Sequence, residues 1–412
     1  MKNLYGLIGV CFSTALLAAC GDGSSLSSLR PTSDALPVAP LPGGLGLPKS
    51  LRPTESVLYS FANAPDGANP EGSLTNVGGT LYGTTQSGGA RRDGTVFAST
   101  AAGAETVLYS FEGGSDGAQP TAGLTAVRGA LFGTTEFGGS GTCYNGLSGC
   151  GIVFKLTTSG AESVLYYFAG GSDGAYPIAG LTKVGSALYG TTVQGGTSNF
   201  GTVFKVTSSG TESVLHSFAN GSDGSVPYGG LTNVNGTLYG TTFQGGASNF
   251  GTVFKITTSG AESVLYSFTG GSDGAFPIAG LTKVGSTLYG TTQQGGESND
   301  GTVFKITASG AESVLYSFAG GNDGALPITG LTNVAGTLYG TTPQGGASGV
   351  GTVYEITKKG AKKPMETVLY SFAGGSDGAR PQAGLTNVGG TLYGTTLEGG
   401  ASSVGTIFSF PL

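Results

Sequence analysis

The sequence predicts an all-β protein, a seven-bladed β-propeller of four-stranded antiparallel blades. Three observations predict this fold. A module of about fifty residues occurs seven times, and each module holds four short strand-like segments. The first copy also opens with the type of segment that ends every other blade. We therefore expect a ring that the N-terminal strand closes by completing the last blade.

The module fills almost everything after residue 55. Four of the six start-to-start steps are 50 residues, and the other two are 57 and 54. Repeated units that share one core form one domain, so the length of 412 residues does not imply several domains here. The copies begin at Ser56, Thr106, Ser163, Ser213, Ser263, Ser313 and Thr367.

The fifth copy shows the strand-like segments most clearly, at 264–268, 280–284, 287–292 and 302–307. All are rich in β-branched and aromatic residues, and short glycine-containing joins between them suit hairpins of an antiparallel meander. The longest join, 269–277, ends in proline, and there the chain should pass to the next sheet. A β-solenoid is the alternative, but its coils are usually shorter and lack a four-segment unit.

The two ends of the repeat region predict ring closure. Residues 57–61 read Val-Leu-Tyr-Ser-Phe, which is a last-type strand, whereas the seventh copy stops after the third-type strand at 406–410. The N-terminal strand can therefore complete the C-terminal blade. An open array would need polar capping repeats, and the sequence shows none.

Composition limits the functional classes. Charged residues make up 10% of the chain and the net charge is −6. No basic cluster is dense enough to indicate nucleic-acid binding. Glycines recur at fixed offsets, which is typical of turns between strands. We expect a monomer without cofactor or metal.

The N-terminal residues are interpreted as an export signal. Residues 1–19 have a positive start, an apolar run and a small-residue end, which together predict a signal peptide. Leu-Ala-Ala-Cys at 17–20 resembles the lipobox of bacterial lipoproteins, which implies cleavage before Cys20 and lipidation of its thiol. An ordinary secretory signal is the alternative. Residues 20–55 would then be a lipidated Pro/Ser/Gly-rich tether, and the propeller would occupy 56–412 on the outer membrane or cell surface.

Two further cysteines, Cys143 and Cys150, lie in the insertion of the second copy. An exported protein meets an oxidising compartment, so we predict a disulfide between them. A metal site would need more ligands than this segment offers.

The module resembles the GloVer tandem repeat of bacterial exported proteins. Leu-Tyr-Gly-Thr-Thr, Gly-Thr-Val-Phe-Lys and Ser-Asp-Gly-Ala-x-Pro carry the resemblance over 56–412. Residues 91–100 and the cysteine insertion depart from the pattern slightly, and the strand order is similar to that of NHL-type propellers. The resemblance implies an exported, often surface-anchored protein and brings no catalytic residues.

Residues that are the same in every copy are read as structural. The recurring Asp-Gly should form turns in which the carboxylate caps backbone amides, and a calcium-binding ring is the alternative. The aromatic residue of Leu-Tyr-Gly-Thr-Thr should pack between blades. His216 replaces a tyrosine of the last-type strand, which argues against a catalytic triad. The aspartates are Asp66, Asp116, Asp173, Asp223, Asp273, Asp323 and Asp377.

Residues that differ between copies are read as candidate functional positions. Three such positions per module should lie on one face, because the loops that carry them emerge together. The residue before proline is Asn69, Gln119, Tyr176, Val226, Phe276, Leu326 or Arg380. The residue after proline is Glu71, Thr121, Ile178, Tyr228, Ile278, Ile328 or Gln382. The residue after Thr-Thr is Gln86, Glu136, Val193, Phe243, Gln293, Pro343 or Leu397.

Large apolar side chains concentrate on this face in the third to fifth blades. Exposed apolar clusters often mark binding sites, and aromatic rings bring a large contact area. We therefore predict a ligand-binding rim, although these side chains could instead pack into neighbouring blades. The candidates are Tyr176, Ile178, Phe200, Tyr228, Phe243, Phe250 and Phe276.

The sequence favours a binding or cell-envelope interaction module whose ligand is a glycan or an envelope protein. A polysaccharide lyase or hydrolase is one alternative, and a structural surface spacer is another. Catalysis would need a convergent acid/base pair. The irregular acidic residues Glu71, Glu136, Glu297 and Glu398 belong to different blades, so they argue for binding rather than catalysis.

Overall fold

A computed structural model describes residues 54–140, 143, 149–357 and 364–412. The predicted signal peptide, the lipidated Cys20 and almost all of the tether lie outside the described residues. Thr54–Leu412 form one compact unit. Within the described residues, no helix has the length and apolar character needed to span a membrane.

Strands make up nearly all of the regular structure, and the only helices among the described residues are short 3-10 turns at Gly171–Asp173, Gly321–Asp323 and Gly375–Asp377. In chain order the strands are β1 (Ser56–Ser60), β2 (Gly67–Ala68), β3 (Thr75–Val77), β4 (Thr80–Thr85), β5 (Ser87–Gly88), β6 (Thr95–Thr100), β7 (Glu105–Ser110), β8 (Thr125–Val127), β9 (Ala130–Thr135), β10 (Ile152–Thr157), β11 (Glu162–Tyr167), β12 (Thr182–Val184), β13 (Ala187–Thr192), β14 (Thr202–Thr207), β15 (Glu212–Ser217), β16 (Thr232–Val234), β17 (Thr237–Thr242), β18 (Thr252–Thr257), β19 (Glu262–Ser267), β20 (Thr282–Val284), β21 (Thr287–Thr292), β22 (Thr302–Thr307), β23 (Glu312–Ser317), β24 (Thr332–Val334), β25 (Thr337–Thr342), β26 (Thr352–Thr357), β27 (Met365–Ser371), β28 (Thr386–Val388), β29 (Thr391–Thr396) and β30 (Thr406–Pro411).

The seven four-stranded sheets confirm the predicted propeller. Blade 1 has the order β3-β4-β6-β7, and blades 2 to 6 are the consecutive quartets from β8 to β27. Blade 7 has the order β28-β29-β30-β1, so the N-terminal strand completes it as predicted. β1 runs antiparallel to β30, with Ser56 opposite Ser409 and Ser60 opposite Thr406.

The innermost strand of each blade is shorter than the sequence suggests. In blade 5 it covers only Thr282–Val284, whereas the pattern predicted 280–284. The reason is crowding at the axis. A Cβ on Gly280 would lie 2.7 Å from the backbone oxygen of Gly230 in the neighbouring blade. The chain passes through this narrow ring before it can pair with the second strand.

A continuous ring of hydrogen bonds joins the inner strands. The threonine that opens each inner strand donates to the backbone oxygen of a leucine in the next blade. The ring closes where Thr386 of blade 7 donates to Leu74 at 2.5 Å. The other six pairs are Thr75–Leu124, Thr125–Leu181, Thr182–Leu231, Thr232–Leu281, Thr282–Leu331 and Thr332–Leu385.

The hydrophobic core lies between blades. Tyr289 of the Leu-Tyr-Gly-Thr-Thr motif is 6% exposed and packs with Leu331 and Leu338 of blade 6. This confirms the inter-blade role predicted for that aromatic residue. Phe268, at the end of blade 4, meets Phe304 of blade 5 edge to face at 5.2 Å. Corresponding aromatic pairs occur at the other six junctions.

The Asp-Gly turns form as predicted. In each turn the aspartate accepts a hydrogen bond from a backbone N–H four residues earlier, such as Thr269 to Asp273 at 2.8 Å. In six modules the aspartate also accepts the hydroxyl of a tyrosine from the same outer strand, at 2.6–3.0 Å. The carboxylates are therefore engaged in holding the turn.

A glutamate from the following blade completes each of these groups, which we call the outer triads. In blade 5, Glu312 lies beside Asp273 and Tyr266 of blade 4. Burial, reinforced by the aspartate charge, raises the pKa of Glu312 to about 7, and the tyrosine hydroxyl opposes this shift without cancelling it. Seven such glutamates have a pKa of about 7 or 8, namely Glu55, Glu105, Glu162, Glu212, Glu262, Glu312 and Glu366.

Two isolated predictions are also confirmed. Cys143 and Cys150 form a disulfide with a Cα–Cα distance of 5.2 Å. His216 occupies the tyrosine position of an outer triad, with its Nε2 atom 3.4 Å from an oxygen of Asp223. Burial lowers the pKa of this histidine, and the neighbouring aspartate opposes the shift.

Candidate functional site

The variable positions lie side by side on one face, which we call the apical rim. It consists of the residues before and after each linking proline and the residue after each Thr-Thr. The N–H of Phe243 donates to the backbone oxygen of Val226 at 3.0 Å, which joins two of these positions. Equivalent bonds occur in five other blades, and in the sixth blade Pro343 has no N–H to donate.

The residue before each linking proline is held in an unusual conformation. All seven have φ between 55° and 60°, including Val226, Leu326 and the aromatic residues Tyr176 and Phe276. Side chains other than glycine, and β-branched ones above all, rarely adopt this left-handed region. The N–H of Val226 donates to Phe200 of the preceding blade at 2.8 Å, so the strained residue bridges two blades. Such strain is often found at functional sites.

Small ladders beyond the main sheets brace the rim. β2 pairs with β5, and single bridges such as Ala275 to Gln294 repeat that pairing at the other blades. They tie each blade-to-blade loop to the loop that follows the second strand. This arrangement supports the rim side chains on paired backbone, where they can be held in fixed positions.

Four of the predicted rim residues form one continuous group, the aromatic arc. Phe243 lies between Tyr228 and Phe276, at ring-centroid distances of 5.3 and 5.0 Å. Phe276 in turn meets Phe250 at 5.4 Å. All four side chains are half-buried, so each ring keeps one part open to solvent. The arc spans blade 4 and the start of blade 5.

The other three predicted residues lie beside the arc and are packed differently. Tyr176 is only 6% exposed and contacts Phe137 at 5.4 Å. Ile178 packs with Tyr176 and Tyr228 in one cluster, while Phe200 packs between blades 3 and 4. Of the seven residues, Tyr176 fits best the alternative that the side chain packs into a neighbouring blade. The half-buried residues of the aromatic arc expose more surface to a ligand. The binding role of all seven residues stays a prediction.

Two of the acidic candidates interact electrostatically at the rim, and we call them the acidic pair. Glu136 of blade 2 is 8% exposed, and burial together with the charge of Glu71 raises its pKa to about 8. Glu71 of blade 1 is enclosed by protein on nearly every side, although water still reaches part of it. Burial raises its pKa to about 7, an effect that Arg380 opposes.

The acidic pair adjoins the aromatic arc. Burial and the charge of Glu136 raise the pKa of Tyr228 to about 12 and also raise the pKa of Tyr176. Arg380 of blade 7 lies on the far side of Glu71, and its guanidinium is held 2.9 Å from the Glu398 carboxylate. Charged groups therefore occupy one side of the rim and aromatic rings the other.

The acidic candidates lie on different blades, as expected, but two of them are close enough for the charge of Glu71 to act on Glu136. Glu71 and Glu136 belong to different blades, but rim positions of adjacent blades are neighbours around the axis. Glu297 is exposed in a loop of blade 5, and Glu398 forms an ion pair with Arg380. The sequence did contain a signal for the pair, because both glutamates occupy rim positions that vary between copies and belong to adjacent blades.

A small cavity of about 90 Å³ lies next to this region, beside the disulfide. Cys143, Gly170, Tyr176 and Gln194 are among its lining residues. It is too small for more than a few water molecules or one substituent of a ligand. Among the described residues, no group of three or more His, Cys, Asp or Glu side chains is arranged to hold a metal ion.

The repeat can now be assigned. A family model described as the Gloeobacter/Verrucomicrobia repeat matches residues 49–204, 141–304 and 184–408. The chain belongs to this family. The three matches together cover nearly all of the propeller of this Gloeobacter/Verrucomicrobia repeat protein. A comparison with curated proteins finds no match to the sequence.

Solved structures share the fold at low identity. A puromycin hydrolase complexed with PGG is 12% identical with a TM-score of 0.51, over 79% of this chain and 50% of that one. A puromycin-hydrolyzing peptidase of Mycobacterium tuberculosis is 11% identical with a TM-score of 0.48, over 82% and 52%. A gluconolactonase of Xanthomonas campestris is 14% identical with a TM-score of 0.38, over 63% and 78%. The repeat protein spans about half the length of the two puromycin-cleaving enzymes, and the likeness shows the fold alone.

Proposed function

We propose that this propeller is a glycan-binding module of the bacterial cell envelope, with its ligand site on the apical rim. The aromatic arc carries the proposal. Partly exposed rings at 5.0–5.4 Å spacing, two of whose three contacts are edge to face, present adjoining apolar surfaces against which sugar rings can pack. Fixed polar groups at the other end of the rim supply partners for hydroxyl groups.

The distribution of aromatic residues supports this proposal. At the Phe243 position the other blades carry Gln86, Glu136, Val193, Gln293, Pro343 and Leu397, so no fold requirement calls for an aromatic ring there. The close approach of Gly270 to Phe250 also supports the proposed binding site. A Cβ on Gly270 would lie 2.4 Å from the Phe250 ring, so a glycine leaves room for that ring at the edge of the arc.

Binding to an immobilised array of envelope and plant polysaccharides tests the proposal, using the whole propeller. The variant Tyr228→Ala/Phe243→Ala/Phe276→Ala should lose at least about tenfold in affinity for whichever glycan binds. Tyr167→Ala is the matched control, because Tyr167 is an exposed aromatic residue on the outer strand of blade 2 and is not one of the rim positions. Equal binding by the triple variant, or no glycan binding by the folded wild type, would contradict the proposal.

An enzyme acting on polysaccharide is a second candidate function, and the acidic pair favours it. Two carboxyl groups with raised pKa values beside a binding strip could act as general acid and base. Incubating bound polysaccharides with the protein and measuring new reducing or unsaturated ends tests this. Product release that disappears in Glu136→Gln would establish catalysis, whereas binding without any product would leave recognition as the function.

Attachment to the envelope through Cys20 is part of the proposal. The lipobox-like residues 17–20 support it. Cells fed a labelled fatty acid should incorporate the label into the wild type and not into Cys20→Ser, and the variant should leave the membrane fraction. An unlabelled wild type would remove the anchor from the proposal without affecting the binding site.

A further inference from the structure

The cavity of about 90 Å³ lies beside the disulfide of blade 2, where blade 4 has an aromatic ring. In blade 4 the Phe250 ring packs so close to Gly270 that an added Cβ would lie 2.4 Å away. Cys150 is the equivalent of Phe250, because each accepts the N–H of the next pre-proline residue at 2.9 Å. A Cβ on Gly170 would contact only the two disulfide sulfurs, at 3.0 and 3.2 Å. A disulfide therefore stands in place of a phenyl ring, with the cavity next to it.

The cavity is accessible from the apical face. Its lining residues come from the β9–β10, β11–β12 and β13–β14 loops, which are the types of loop that carry the rim. Cys143, Ala175 and Tyr176 are buried and form its closed side. Ala169 and Asn199 are exposed and form its open side. A group that belongs to a ligand on the rim can therefore enter it from solvent.

A side-chain amide supplies the main polar group of the cavity. Gln194 is held in place by two backbone hydrogen bonds with Ala175, at 2.9 and 3.1 Å. Among the described residues, no hydrogen bond to its side-chain amide is found. None of the described residues that line the cavity carries a charge. The cavity therefore suits an uncharged group that can accept a hydrogen bond, and it does not suit an ammonium, phosphate or carboxylate group.

The size of the cavity limits that group to a few atoms. Its 90 Å³ corresponds to about three water molecules at about 30 Å³ each. An acetyl group, with a methyl carbon, a carbonyl carbon and one oxygen, is of this size. Its methyl group would lie against the disulfide and Ala175, and its oxygen would accept a hydrogen bond from the Gln194 amide.

Tyr176 connects the cavity to the aromatic arc. Its side chain lines the cavity and packs in one cluster with Ile178 and Tyr228. Tyr228 in turn meets Phe243 edge to face at 5.3 Å. A single ligand chain can therefore contact both the arc and the cavity.

We propose that this cavity, which we call the acetyl pocket, receives the acetyl group of an N-acetylated amino sugar whose neighbouring units pack on the aromatic arc. The ligand is then a polymer of N-acetylated amino sugars. This inference rests on the proposed glycan-binding function and names the class of its ligand. A glycan with a hydroxyl group in place of the acetamido group would still pack on the arc but would leave the acetyl pocket to water.

The test compares two oligosaccharides with the same linkage. Calorimetric titration of the whole propeller would use the N-acetylglucosamine hexamer and cellohexaose, which carries a hydroxyl group in place of each acetamido group. The wild type should bind the acetylated hexamer at least about tenfold more tightly, the combined effect of one buried methyl group and one hydrogen bond. Equal affinity, or a preference for cellohexaose, would overturn the inference.

A pair of matched variants locates the preference in the acetyl pocket. Gln194→Leu keeps the approximate size of the side chain but removes its amide. It should lose at least about threefold in affinity for the acetylated hexamer and bind cellohexaose as before. Gln344→Leu is the control, because Gln344 forms the same backbone bridge in blade 6, with Ala325 at 2.9 Å. A full preference in Gln194→Leu would contradict the assigned site.

The outcomes separate this inference from the function on which it rests. If the wild type binds both hexamers equally, the glycan-binding function stands and only the inference fails. If it binds neither hexamer and no other glycan, both fail. Tighter binding of a peptide with acetylated lysines than of the acetylated hexamer would also overturn the inference, because the acetyl pocket would then recognise a protein.

Discussion

The outer triads and the acidic pair offer a comparison within one molecule. Both contain carboxyl groups whose pKa burial raises to about 7 or 8. The triads occur at all seven blade junctions with the same glutamate and aspartate, whereas the pair occurs once, on blades 1 and 2. In the triads the aspartate is bound by the backbone and by a tyrosine or, in blade 3, lies beside a histidine. Among the described residues, no hydrogen bond to either carboxyl of the acidic pair is found.

Recurrence from blade to blade distinguishes structural groups from functional ones in a repeat protein. A perturbed ionisable group alone does not mark a site, since structural networks also shift pKa values. Sevenfold identity, together with an aspartate that holds the turn through backbone and tyrosine hydrogen bonds, indicates a role in assembling the ring. Occurrence in a single place, at a position that varies from blade to blade, indicates a role outside the fold. Changes at identical positions should therefore alter stability, and changes at rim positions should alter binding.

The largest effect is expected at an identical position, Gly290. A Cβ there would lie 2.6 Å from the Phe304 ring and 2.9 Å from Leu281, inside the core. Gly290→Leu should lower the free energy of unfolding by about 3 kcal/mol or prevent folding. Denaturant unfolding measures this. Gly271→Ala is the control, because Gly271 lies in a turn with its nearest neighbour 3.7 Å from the added Cβ, and its effect should be small. Similar losses in both variants would contradict the packing argument.

The outer triads predict that stability depends on pH. The folded pKa values of the triad glutamates exceed their unfolded values, so the protonated carboxyls stabilise the ring at about pH 4 to 5. This contribution is lost as the pH rises through 7 to 8. The thermal midpoint should fall over that range. Glu312→Gln should remove about 1 kcal/mol of the loss, after allowing for solvent screening of this half-exposed group.

A matched variant identifies the triads as the cause. Glu297→Gln also removes one glutamate from the blade 5 module, but from an exposed loop, so its thermal midpoint should follow the wild-type pH profile. A midpoint that does not change between pH 5 and 8 would show that the triads do not act through ionisation.

Tyr354 is an exception at a position that is otherwise the same in every blade. Restoring the common residue there tests the rule that identical positions are structural. The other six blades carry phenylalanine at this position, whereas the Tyr354 hydroxyl is buried without a hydrogen-bond partner. Tyr354→Phe should raise the free energy of unfolding by about 1 to 2 kcal/mol, because it removes an unsatisfied polar group. Phe304→Tyr, the reverse change in blade 5, should destabilise by a similar amount. Destabilisation by Tyr354→Phe would mean that the hydroxyl is satisfied.

The smallest effect is expected at the rim residue Val226, which is β-branched at a φ of 55°. Asparagine tolerates this conformation better and occupies the equivalent position at Asn69. Val226→Asn should therefore stabilise the propeller by about 0.5 to 1 kcal/mol, measured as a rise in the thermal midpoint. Ile278→Asn is the control at a rim position outside the left-handed region, and it should destabilise. A loss of stability in Val226→Asn would mean that side-chain packing outweighs the strain.

The sequence was sufficient to predict the architecture because each level of the pattern repeats. The module gave the blade number, the mismatched end strands gave the closure, and Asp-Gly gave the turns. The short inner strands were not predicted, since their length depends on how closely Gly230 and Gly280 approach at the axis. That distance depends on the closed ring, so the sequence of a single module does not predict it.

The candidate site was predicted only in part. Tyr228, Phe243, Phe250 and Phe276 do form one group, because they occupy rim positions on adjacent blades. The acidic pair was missed because Glu71 and Glu136 are 65 residues apart in the sequence and belong to separate modules. The outer triads were missed for the same reason. A glutamate stands at or next to the start of every last strand, but its aspartate partner lies in the preceding blade.

The offset between module and blade has a consequence for how such a protein can evolve. Each repeated segment begins with the last strand of one blade and supplies the first three strands of the next. An unequal exchange between gene copies that adds or deletes one whole segment therefore always leaves one end with a strand that the other end lacks. A protein with one blade more or fewer would therefore still have a first strand that can complete its last blade. The residues of its apical rim could meanwhile diverge.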